Sequence, residues 1–211
     1  MTTEDLIRAL VIDRYVGPRL NRGLQVALLC GISLVALLFF TLIGFREDII
    51  PALATVRFLF KFVVVVPLAL IATYAMVQSA SPVFAFGRWR RGLATPAAFL
   101  VIGLFAELIA VPSSEWETKL IGSNSVNCMS LIPALGIWPL IMMIAALKRG
   151  APANPGISGA LAGLASSGIA ATFYAMNCFD DSPLFVITWY PLAASILVLI
   201  GNFIGLRHLR W

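Results

Sequence analysis

The sequence predicts an all-α polytopic membrane protein, a bundle of six transmembrane helices with both termini in the cytoplasm. Three observations predict it. Of 211 residues, 60% are hydrophobic and 12% charged, about half the charge of a soluble domain, and the mean hydropathy is +0.95. Six windows approach the roughly 20 apolar residues that cross about 30 Å of hydrocarbon. The Lys and Arg residues then divide eleven to four between the two faces that six spans create. The face with eleven is cytoplasmic by the positive-inside rule. This composition excludes a soluble enzyme or a disordered tail, and the basic balance belongs to helix ends rather than to nucleic acid.

The domain organisation follows: residues 1–23 form a cytoplasmic N-terminal segment, 24–206 the transmembrane domain, and 207–211 a short basic tail. In the first segment Thr2 is placed to cap a helix, with Glu4 and Asp5 near the positive end of its dipole. Leu6, Ile7, Leu10 and Val11 then share one helical face, and Pro18 after Gly17 ends the pattern. Two readings stand for this stripe: a helix resting on lipid, or one that docks into a groove on a cytoplasmic partner.

The windows run over Leu24–Ile43, Phe62–Ala80, Pro96–Val111, Met129–Leu147, Ile157–Met176 and Leu184–Leu206. The first lacks a small-x-small cleavage site and is expected to stay as an anchor. Arg46, Arg57 and Lys61 are assigned to the first outer loop, Lys119 to the second. Between spans two and three, Phe84, Phe86, Arg88, Trp89, Arg90 and Arg91 have the composition of a headgroup-boundary segment. The third span is short and contains Glu107. An intramembrane carboxylate often marks an ion path, so a small transporter or channel centred there is the alternative function. The glycine rows of spans five (Gly159, Gly163, Gly168) and six (Gly201, Gly205) predict close helix packing in lipid.

Of the three cysteines, Cys30 reads as a buried apolar filler in the first span. Cys128 and Cys178 each follow an asparagine where a span meets an outer loop, on the same side and at similar depth. In an oxidising compartment such a pair forms a disulfide or shares a soft metal ion, while two unrelated packing thiols remain the plain alternative. Glu115, Glu117, Asp180 and Asp181 flank them, either as solvated loop residues or as additional ligands. His208 lies in the opposite tail, which argues against a zinc enzyme. No nucleotide loop or catalytic triad occurs, so no enzymatic activity and no resident cofactor are expected.

Several features together resemble a known family. Asp5-Leu6-Ile7-Arg8-Ala9-Leu10, the two Asn-Cys pairs, and the run Cys178-Phe179-Asp180-Asp181-Ser182-Pro183-Leu184-Phe185 closing on Trp189-Tyr190 are similar to the NrsF family. Its members are six-span bacterial inner-membrane anti-sigma factors, negative regulators of extracytoplasmic-function sigma factors. The resemblance implies that the N-terminal segment, with Asp5, Leu6, Ile7 and Leu10, holds a sigma factor. It also implies that Cys128 and Cys178 sense oxidative or heavy-metal stress, with a transient soft metal ion at the pair as one form of the signal.

Overall fold

A computed structural model describes residues 18–81 and 86–209, so the docking residues Asp5, Leu6, Ile7 and Leu10 lie outside the described part. Six helices are long and apolar enough to cross a membrane. They are α1 (Pro18–Leu38, extended by a π-helical turn Phe39–Ile43), α3 (Val56–Ser79), α4 (Phe86–Ala110), α6 (Ser125–Leu147), α7 (Pro155–Ala175) and α8 (Pro183–His208). Two short helices, α2 (Ile49–Leu53) and α5 (Trp116–Ile121), lie in the loops at the end of the bundle that carries Cys128 and Cys178. That end is called the cysteine end below, and the opposite one the arginine end.

Local chemistry sets the helix starts. Thr55 Oγ1 accepts from the Phe58 amide, Asn154 Oδ1 from Ile157, and Ser182 Oγ from Leu184, each satisfying an amide that a helix N-terminus leaves unpaired. Pro155 and Pro183 occupy the first helical position, where a missing N–H costs nothing. The π-helical turn closes on Gly44, whose φ of 76° turns the chain out of the first span.

α7 is the centre of the bundle. Of its apolar window 72% is buried, against 17% for the first and third spans. It packs on α8, α3 and α6, while α1 lies against α6, and α4 against α3 and α8. The glycine rows make the central contacts possible: a Cβ on Gly159 would lie 2.0 Å from the Gly201 carbonyl oxygen, and one on Gly163 2.2 Å from that of Leu197. Gly168 meets the Ala69 backbone of α3 in the same way, 2.8 Å from its Cα. The close packing read from the sequence is therefore where the backbones touch.

Two expectations are corrected. Lys61 belongs to the second span rather than to a loop, because Thr55 starts that helix seven residues before the apolar window. Cys30 is exposed at the bundle surface instead of buried, since only one face of α1 meets α6.

Candidate functional site

The site is built where the loop 176–182 crosses the cysteine end. The loop is held through its backbone as much as through side chains. The Arg46 amide donates to the Met176 carbonyl at 3.2 Å, and Asn177 Nδ2 donates to the Gly44 carbonyl at 3.2 Å. Two cations then converge on Cys178. Lys61 Nζ donates to the Cys178 carbonyl oxygen at 2.8 Å and is ion-paired with Asp181. Arg46 Nη1 donates to the same carbonyl at 3.1 Å and to Asp181 at 3.0 Å, and its Nε donates to Asp48 at 2.6 Å. The Lys61 side chain is 0% exposed and that of Arg46 6%. The guanidinium lies 4.7 Å from the Phe179 ring centroid, and both cations approach Phe58. A buried charge is tolerated only when paired and hydrogen-bonded. Here two cations face two carboxylates and one carbonyl, so the cluster is neutral and satisfied.

Asp180 has a different task. Its Oδ2 accepts from the amides of Ser123 at 2.9 Å and Asn124 at 2.7 Å, so it covers the N-terminus of α6, where the helix dipole favours an anion. The turn that allows this passes through Gly122 (φ 62°), where a Cβ would lie 2.6 Å from Phe185 and 2.8 Å from the Asp180 carboxylate. Tyr174 Oη donates to the Asn124 carbonyl at 3.3 Å, and the Trp189 indole donates to Leu120 at 2.8 Å. Asp180 and Asp181 are thus committed to these partners rather than free in the loop. Glu115, by contrast, pairs along its own helix with Lys119 at 3.5 Å.

Glu107, 4% exposed, accepts from Arg57 Nε at 3.0 Å and from Ser182 Oγ at 3.0 Å. These contacts account for its presence in the third span, and they tie α4 to the start of α8. The transporter reading rested on this carboxylate, which is committed to holding helices together.

Cys128 and Cys178 enter one buried cluster with Tyr174, Phe185, Val186 and Tyr190, both at 0% exposure. Cys128 sits one turn into α6, its amide donating to the Asn124 carbonyl at 2.8 Å. Cys178 follows the end of α7, its amide bonded to the Tyr174 carbonyl at 3.0 Å. Both thiols are free. Burial pushes the Cys178 thiol up from its ordinary value, opposed by Lys61, by the Asp180 amide and by the Tyr174 hydroxyl. The resting thiol is therefore protonated. Outside the spans, the Arg46 guanidinium holds the Asp48 carboxyl below its usual range. Among the described residues no group of three or more His, Cys, Asp or Glu is placed to hold a metal ion.

The structure thus brings together the two cysteines read from the sequence and adds Arg46, Lys61, Tyr174 and Tyr190. The Tyr190 hydroxyl is buried with no hydrogen-bond partner among the described residues. The signal for Lys61 was a cation directly before the run Phe62-Val63-Val64-Val65-Val66 in a helix that Thr55 starts. Arg46 has one carboxylate partner near in sequence, Asp48, but no local pattern marks its contact with Asp181, 135 positions away.

The fold and site define a six-span helical membrane protein whose polar groups at this end bind the chain to itself. The chain belongs to a family described as NrsF, negative regulator of sigma F, whose family model matches residues 13–211. It is 33% identical, over the whole of both chains, to a protein of Caulobacter vibrioides (strain NA1000 / CB15N) called anti-sigma-F factor NrsF. The family is regulatory rather than enzymatic. No solved structure matches the chain.

Proposed function

We propose that this protein is an anti-sigma factor of the bacterial inner membrane. It holds an extracytoplasmic-function sigma factor at the cytoplasmic face and releases it under oxidative or heavy-metal stress. Residues 1–23 carry the docking helix, with Leu6, Ile7 and Leu10 as its apolar anchors and Asp5 beside them. Cys128 and Cys178 form the sensor on the opposite face, in the orientation that the eleven-to-four charge division favours.

The observation that carries this reading is that two thiols 50 positions apart share one buried cluster, beside a loop clamped to α1 and α3. Joining them in a disulfide, or with a soft metal, would couple the start of α6 directly to the end of α7. Helix shifts of this kind are an established way to pass a change across a protein. A cysteine introduced at the exposed Glu117, in a chain without other cysteines, is expected to react with an impermeant maleimide in intact cells. Labelling only after permeabilisation reverses the orientation.

Co-purification tests the docking part. The sigma factor is expected to remain with the detergent-solubilised wild-type chain and to be lost from Leu6→Asp/Leu10→Asp. Each anchor of a helix-in-groove contact is worth about 2 kcal/mol or more, roughly thirtyfold in affinity. Undiminished retention by the double variant leaves only the lipid-resting role for this helix.

A further inference from the structure

All seven carboxylates in the described part of the chain lie at the cysteine end: Glu47, Asp48, Glu107, Glu115, Glu117, Asp180 and Asp181. The cations of the arginine end have no carboxylate within the described residues to pair with. Two of them, Arg22 of α1 and Arg149 just beyond α6, sit at the mouth of one groove of about 530 Å³. Its walls are apolar, with Val26 and Cys30 on one side and Met142 and Ala145 on the other. The groove has a defined bottom. α1 and α6 meet where a Cβ on Gly31 would lie 2.9 Å from Pro139 Cβ, and they diverge from there toward the arginine end. The Arg149 guanidinium leans back over α1, with Nη1 3.8 Å from a Cβ built on Gly23. From Arg22 to Cys30 the wall runs about 12 Å at the helical rise.

We infer that this groove is a binding site for one anionic glycerophospholipid, its phosphate held by Arg22 and Arg149 and an acyl chain seated between α1 and α6 down to Gly31 and Pro139. Charge complementarity identifies the occupant. Two exposed guanidiniums without carboxylate partners among the described residues flank an apolar slot that opens at the level of the headgroups. Basic pockets between transmembrane helices recognise anionic headgroups, and guanidinium binds phosphate oxygens with paired donors. A zwitterionic lipid brings its own cation to the same place and is disfavoured there. The site stands independently of the thiol sensor.

The test is lipid titration of the delipidated full-length protein in detergent, read by native mass spectrometry with phosphatidylglycerol and phosphatidylcholine as probes. One phosphatidylglycerol is expected to bind in preference to phosphatidylcholine. Arg22→Gln/Arg149→Gln should weaken it roughly thirtyfold, from about a factor of five per basic residue at the membrane surface. Ala145→Phe, which fills the groove and keeps both charges, should weaken it as well, and it carries the test if the glutamine variant fails to fold. Arg91→Gln/Arg207→Gln removes two exposed cations of the same end outside the groove, and should bind as the wild type does. Equal binding of both lipids, unchanged binding by either groove variant, or an equal loss in the control pair overturns the inference. So does a wild type that binds no lipid until residues 2–17 are removed, because the groove would then belong to the chain's own N-terminal segment, which carries Glu4, Asp5 and Asp13.

Discussion

The two ends of the bundle use charge in opposite ways. At the cysteine end, Arg46, Lys61, Arg57 and Lys119 each meet a carboxylate within the chain, and Asp180 closes the start of α6. At the arginine end Arg22, Arg91, Lys148, Arg149 and Arg207 are exposed and find no carboxylate among the described residues. The first end is therefore organised by internal electrostatics, which fixes the loop carrying Cys178. The second presents its charges outward. Under the proposed function, the end that registers a change at two thiols has a defined resting geometry, and the end that meets other molecules carries unpaired charge.

The largest expected effect comes from breaking the internal set. Asp181→Asn leaves Lys61 buried without its carboxylate and should destabilise the fold by about 3–5 kcal/mol, read by unfolding in detergent. Lys61→Met should cost less, about 1–3 kcal/mol, because Arg46 still holds both Asp181 and the Cys178 carbonyl. Equal losses in the two variants would show that the cations do not share this work. Next is Asp180→Ala, which removes charge-assisted bonds to two amides at the start of α6 and should cost about 2 kcal/mol.

Thiol reactivity sharpens the same comparison without altering a charge. With its pKa raised by burial, Cys178 should react with a maleimide far more slowly in the folded protein than in detergent-denatured chain. The sign follows from linkage. Stability from the protonated thiol is complete below the unfolded value of about 8.5 and is lost as the pH rises from there toward the folded value. Reaction of the folded protein should accelerate over that alkaline range. A Cys178 as reactive as the denatured thiol at pH 7 contradicts its burial. The smallest effect is at the other end, where Arg91→Gln/Arg207→Gln should leave unfolding within about 0.5 kcal/mol of wild type.

The spans were legible because hydropathy is local: each window needs only its own residues, and the glycine rows announce close packing by their spacing. That Cys128 and Cys178 lie in one buried cluster agrees with their matched depth and side in the sequence. What escaped was the polar frame around it. Lys61 was assigned to a loop because a cation next to an apolar run ordinarily marks the membrane boundary. Its partners, Asp181 and the Cys178 carbonyl, come from the far end of the chain. Asp180 and Asp181 differ by one position, yet one covers a helix end and the other joins two cations. That division depends on the Gly122 turn and on the approach of α3, neither of which a linear pattern contains. Glu107 was recognised as unusual, but its partners Arg57 and Ser182 lie 50 and 75 positions away.

The central claim is that the state of the thiol pair at one end determines whether a partner stays bound at the other. The most direct measurement is the amount of sigma factor that co-purifies with the chain from cells before and after exposure to a thiol oxidant or a thiophilic metal ion. The comparison takes in wild type, Cys128→Ser, Cys178→Ser and the double variant. Wild type should lose at least tenfold of its partner on exposure, a difference of about 1.4 kcal/mol between the two states. Each single serine variant should keep the partner as fully as the double variant, because a pair needs both members. Normal release by either single variant under both stimuli would contradict the account and leave the cysteines as packing residues.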